Sequence, residues 1–145
     1  MKKSGIMNPE IAEIVTELGH GDKLAITDRG FPFPKSDNQK VVDVSVGRGV
    51  PGAPEVLEIV LEELKIEEVI VADKTVEENE EIYTRFMKKI EEKEAEDVKV
   101  TQIPHESFKE MIVEGAGEGS DIRGMIRTGQ VIPYSNIILV AGVSF

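Results

Sequence analysis

The chain contains no cysteine. That absence removes disulfides, thiolate nucleophiles and cysteine-ligated zinc together, and it fits a reducing compartment, read here as the cytoplasm. Long apolar runs are missing too: no stretch approaches the ~18 apolar residues of a spanning helix, so no membrane partner is expected. The opening Met1-Lys2-Lys3-Ser4-Gly5-Ile6-Met7 has charges without a long apolar segment behind them and does not read as a signal peptide. Positive charge is in short supply, 17 Lys and Arg against 28 Asp and Glu, for a formal net charge of −11. The lysines are interleaved with acids, as in Glu91-Glu92-Lys93-Glu94, and no basic patch forms. Such a surface repels a phosphate backbone, so no nucleic acid partner is expected and a neutral small molecule suits it better. There is no G-x-S-x-G elbow and no H-x-x-x-H or H-E-x-x-H pair. Neither a serine nucleophile nor a metal site is therefore expected, and the chemistry proposed below calls for no cofactor.

With 145 residues and 40% hydrophobic content, the chain is long and apolar enough for one domain, residues 1–145, with a real core. Asn8-Pro9 predicts a helix start, Asn capping free amides and Pro standing where no hydrogen bond is lost. Ile11, Ile14, Val15 and Leu18 recur at helical spacing, and Gly19 suits a left-handed stop. Lys23–Thr27 reads as a short strand ending at Asp28. Arg29–Asn38 carries two prolines and a glycine and reads as a shaped loop anchored by Phe31 and Phe33. Val41–Val44 is a second strand, and a helix with Val56, Leu57, Val60, Leu61 and Leu64 on one side opens near Pro54. Glu68–Ala72 is the continuous apolar strand expected of a sheet covered on both faces. One long acidic helix follows, from about Thr75 to Glu94, with Ile82, Phe86 and Ile90 in register. Val98–Thr101, a short helix through Phe108, Met111 and Ile112, a glycine-rich surface loop at Gly115–Gly119, and apolar runs at Met125–Arg127 and Ile137–Val140 complete the pattern. Strands alternating with helices predict a single three-layer α/β/α domain around a mostly parallel or mixed central sheet.

In such a sheet a ligand sits beyond the carboxyl ends of the strands. Asp28, the Gly47–Gly52 turn, Asp73 and His105 all follow strands and can share that rim if the strands are parallel. His20, in Leu18-Gly19-His20-Gly21-Asp22, is one of only two histidines, and its imidazole can give and take protons near neutral pH. The plain alternative is a histidine that only favours the negative end of a helix; His105 has a similar one, as the cap of its helix. Gly47-Arg48-Gly49-Val50-Pro51-Gly52 matches G-x-G-x-x-G, but Pro51 and Pro54 lack amide hydrogens where a pyrophosphate needs them, which favours a tight turn or a wall of a sugar site. Tyr134-Ser135-Asn136 puts a phenol and an amide two apart, projecting to one side of an extended backbone and suited to sugar hydroxyls. The alternative there is ordinary turn chemistry.

Taken together these stretches resemble the D-ribose pyranase family and its sister group, the L-fucose mutarotases. The resemblance runs through Leu18–Asp22, Asp28-Arg29-Gly30-Phe31-Pro32-Phe33-Pro34, Gly49-Val50-Pro51, His105-Glu106-Ser107-Phe108-Lys109, Ile126-Arg127-Thr128-Gly129, Pro133–Leu139 and Ala141-Gly142-Val143-Ser144-Phe145. It implies interconversion of the pyranose and furanose forms of free ribose, an isomerase activity. By the same resemblance His20 is the proton donor, Asp28, His105, Tyr134, Ser135 and Asn136 bind the sugar, and the chain forms a ring-shaped homo-oligomer (a pentamer or decamer). The pocket then lies at the subunit interface, with the Tyr-x-Asn segment reaching a neighbour's pocket. Gly21 departs towards the fucose type, Gln130 replaces the acid that often follows Arg-Thr-Gly, and Gly115–Gly124 is longer than usual. Gly30–Pro34 and Gly49–Pro51 favour ribose. The expected mechanism is acid–base ring opening, with Asp28 fixing the sugar or the tautomer of His20; fucose anomer exchange, or sugar binding without turnover, are the rivals.

Overall fold

The computed structural model describes residues 1–115 and 122–145. The expected glycine-rich loop falls mostly on 116–121, outside the described residues. In chain order the elements are α1 (Pro9–Glu17), β1 (Lys23–Thr27), β2 (Lys40–Asp43), α2 (Ala53–Leu61), β3 (Ile66–Ala72), α3 (Asp73–Glu78), α4 (Glu80–Lys93), β4 (Lys99–Ile103), α5 (His105–Val113), β5 (Ile122–Arg127) and β6 (Ile137–Ala141). One mixed six-stranded sheet has the order β2-β5-β1-β6-β3-β4. β5 is parallel to β1 and β2, and β4 is parallel to β3. Only β6 is reversed, antiparallel to both neighbours, β1 and β3. Five strands therefore end at one rim, and β6 begins there.

Strand side chains alternate between two cores, as the two-residue period requires. Leu24, Ile26, Val69, Val71, Ile126 and Leu139 pack under α1, α2 and α4 with Leu57 and Phe86. Ala25, Ile70, Met125 and Ile138 face Phe108 and Ile112 of α5 and Phe31 of the loop after β1. Helices on both faces of one mixed sheet give the expected α/β class.

Local chemistry sets the boundaries. The Asn8 side chain accepts from the amides of Glu10 and Ile11, and Pro9 opens the first turn. α1 ends earlier than expected: Leu18 is already extended, and the left-handed residue is Gly21 (φ +86°), not Gly19. The long acidic helix is two helices. Asn79, at φ −140° and ψ 57°, breaks it and caps α4 through the amide of Ile82. Phe31 is buried edge-on against Phe108, while Phe33 stays half exposed with the Arg127 guanidinium 4.5 Å from its ring centre.

Candidate active site

β1 delivers Asp28 to the rim, where the residue is 7% exposed. β6 arrives beside it from the opposite direction, so Asn136 and Ser135 meet Asp28 across 108 and 107 residues of chain. The Asn136 Oδ1 accepts the Asp28 amide at 2.8 Å, and the Ser135 amide donates to Asp28 Oδ2 at 3.3 Å. The Gly30 amide donates to Oδ1 at 3.0 Å. Burial pushes the Asp28 carboxyl above its ordinary range, and these donors, with the Asn136 amide and the Phe31 N–H, restrain that rise.

β4 delivers the second histidine to the same rim. His105 is the first residue of α5; its amide donates to Asp73 Oδ1 at 2.9 Å, an acid that follows β3. Its ring meets Tyr134 edge to face, with centroids 5.1 Å apart. His105 Nδ1 is buried and has no hydrogen-bond partner among the described residues. A buried polar atom left so is costly unless something else satisfies it. Tyr134 is left-handed (φ 62°), so it and Asn136 face one space because the chain turns, not because an extended strand alternates. The Thr75 hydroxyl donates to the Tyr134 carbonyl at 2.7 Å, and the Asn79 amide to the Pro133 carbonyl at 2.9 Å. The α3–α4 junction thus pins the segment.

Asp28, His105, Tyr134 and Asn136 of one chain line a cavity of about 350 Å³, a monosaccharide-compatible size, so the Tyr-x-Asn segment, expected to reach a neighbour's pocket, lines its own. Ser135 does not line it. Its hydroxyl donates to the Ile132 carbonyl and accepts from Asn79 at 3.2 Å, so its part in the site is the amide it gives Asp28. Two lining residues, Lys109 and Gln130, were not singled out from sequence as sugar-binding. Lys109 carried a signal: it stands four residues after His105, one turn along α5 on the same face. Gln130 was marked only as a departure after Arg-Thr-Gly, with no role attached.

His20 lies elsewhere. It precedes β1 while Asp28 follows it, so the five residues of β1, at about 3.3 Å each, separate them by ~17 Å. The half-exposed ring places Nε2 2.8 Å from Glu67 Oε2 at the opposite rim. Asp22 beside it caps the Gly19 amide and pairs with Arg123. Of the two expected tasks for Asp28, fixing the tautomer of His20 is not possible within a single chain, because a strand stands between them, and fixing the sugar is left.

Gly47–Gly52 is a tight turn. Gly47 and Val50 form a bridge, and the Gly49 amide is spent on the Gly129 carbonyl at 2.6 Å. Amides used internally are not offered to a phosphate. No described helix is long and apolar enough to cross a membrane, and the described residues contain no cluster of three or more metal-binding side chains.

A D-ribose pyranase of Thermotoga neapolitana is 46% identical over the whole of both chains. A D-ribose pyranase of Clostridium perfringens is 38% identical over the same full lengths. Among solved structures, Bacillus subtilis RbsD complexed with D-ribose superposes with a TM-score of 0.84 at 34% identity, all of each chain covered. A Streptococcus pneumoniae fucose mutarotase in complex with L-fucose shares the fold, with a TM-score of 0.78 at 21% identity and full coverage of both. The model of the RbsD / FucU transport protein family matches residues 1–144, and the chain belongs to that family.

Proposed function

We propose that the chain is a D-ribose pyranase, an isomerase that interconverts the six- and five-membered rings of free ribose. The observation that carries the reading is the cavity where Asp28, His105, Tyr134 and Asn136 converge from three separate stretches of the chain, in a protein 46% identical over its full length to a D-ribose pyranase. Ring opening needs a proton delivered to the ring oxygen while the anomeric hydroxyl loses one. The aldehyde then rotates, and another hydroxyl closes the new ring. General acid–base assistance contributes on the order of 10²–10⁴-fold, enough for a reaction that already proceeds in water.

Within the cavity, Asp28 fixes sugar hydroxyls or receives a proton, and its raised proton affinity suits the second task. The unpartnered His105 nitrogen, the Tyr134 phenol, the Asn136 amide and the Lys109 ammonium hold the remaining hydroxyls. His20 is the proton donor, supplied by a second copy whose opposite rim seats over this cavity in a ring-shaped homo-oligomer. An exposed imidazole at one rim and an open cavity at the other are what head-to-tail assembly brings together. The reading includes one domain over residues 1–145 and a cytoplasmic setting, which the lack of cysteine fits.

Saturation-transfer NMR on ribose tests the activity. Exchange between pyranose and furanose signals is expected with the native chain and absent with His20→Ala at unchanged assembly. Exchange of fucose anomers without ribose ring exchange would reassign the chain to the mutarotases, and undiminished exchange in His20→Ala would remove His20 from the chemistry.

A further inference from the structure

We infer that Gln130 is a further sugar-binding residue, presenting an amide N–H to one sugar hydroxyl, and that the Gly47–Gly52 turn is the device that holds it in place. The inference rests on the sugar reading above.

Gln130 is 6% exposed and lines the cavity that holds Asp28 and His105. Its orientation is set by chemistry. Oε1 lies 3.2 Å from the Ala53 amide at the start of α2, and only the oxygen of a carboxamide can accept from an N–H. Nε2 therefore points away from α2. Among the described residues it has no hydrogen-bond partner, and it is absent from the buried polar atoms left without one. Nε2 is thus the group Gln130 has free for a ligand in the cavity it lines, with two amide hydrogens to give.

The backbone is equally fixed. The Gln130 amide donates to Thr128 Oγ1 at 3.2 Å, and its carbonyl accepts from the Arg29 amide at 2.8 Å. Behind it stands the glycine turn. The Gly129 amide donates to the Pro51 carbonyl at 2.9 Å, and Gly49 returns a bond to the Gly129 carbonyl. A side chain at Gly129 would meet the Val50 carbonyl oxygen at 2.4 Å, so the two segments touch backbone to backbone. A Cβ at Gly52 would come within 2.8 Å of Gln130 Oε1. Gly49 and Gly52 of the G-x-G-x-x-G stretch thus pack, with Gly129, around Gln130, a use of that spacing without a nucleotide. An acid at position 130 could keep one oxygen on Ala53 but would offer the cavity an acceptor, so the amide reverses the polarity of this wall.

The test is a cycle between side chain and sugar. Ribose and its monodeoxy analogues are titrated by calorimetry into the native chain, Gln130→Met and Gly52→Ala, with thermal unfolding checking that each variant folds. Gln130→Met should bind ribose about tenfold more weakly, the equivalent of one hydrogen bond. It should also stop discriminating ribose from one deoxy analogue while keeping the native penalties for the others. Gly52→Ala should weaken the same pairing by displacing the amide. Native ribose affinity in Gln130→Met, or an equal loss against every analogue, overturns the assignment, and native affinity in Gly52→Ala overturns the role of the turn. If the native chain binds no ribose at all, the sugar reading itself falls.

Discussion

Asp28 holds its proton more tightly in the folded chain than in the unfolded one, because burial disfavours the carboxylate. Its contribution to stability is whole below the ordinary aspartate value of 3.8 and is lost as pH rises through the higher folded-state value. Asp28→Asn cannot ionise, so the stability of the native chain relative to this variant should fall as pH is raised from 3.8 upward. Denaturant melts at a series of pH values measure the difference; a difference independent of pH would mean that Asp28 titrates as it does in the unfolded chain. At this scale much was legible. A carboxylate after an apolar strand and a histidine after another stand where the sheet puts ligands. Gln130 was not, because its meaning comes from the Ala53 amide, 77 residues away. Tyr134 was placed in the site for a reason the backbone does not support, since a left-handed turn does what alternation was expected to do.

At the scale of elements, the α3–α4 break matters most for the site. Asn79 caps α4 with its oxygen and uses its nitrogen on the Pro133 carbonyl and Ser135 hydroxyl. Asn79→Ala should cost roughly 1–2 kcal/mol, the loss of a cap joined to a buried hydrogen bond. It should also weaken ribose binding, because Tyr134 loses its neighbour's anchor. Chemical denaturation with calorimetric titration checks both, and a stability loss with native ribose affinity would separate the cap from the site. The break was invisible in sequence. Ile82, Phe86 and Ile90 keep helical spacing without interruption into the acidic stretch before them, and an asparagine is tolerated inside a helix. Its partners lie 54 and 56 residues downstream. The strands were easier, because β6 is apolar throughout and β3 is apolar from Val69 to Ala72, as the middle of a doubly covered sheet demands.

For the whole molecule, the opposition of His20 and Asp28 is the governing fact. It was readable, since a strand had been placed between them and a strand has length. Local motif proximity obscured it. A mixture of His20→Ala and Asp28→Asn chains, dissociated and reassembled together, should regain exchange although each variant alone is inactive. In a random ring of equal parts, about a quarter of the junctions unite a native His20 with a native Asp28. Recovered turnover near that fraction of native, read by the same NMR exchange, supports pockets built from two chains; a mixture as inactive as its components would place both residues' work within one.

The reversed strand β6 has a further consequence. It is the last of the six in sequence, yet it lies between β1 and β3 and joins the two halves of the sheet. While the chain is being synthesised, β2, β5 and β1 can gather on one side and β3 with β4 on the other, but neither group touches the other through a ladder. Closure waits for residues 137–141, and the Asn136 clasp on Asp28 forms in the same event. Joining the two halves of the sheet and completing the wall of the cavity beside Asp28 are thus the work of one short segment, residues 136–141.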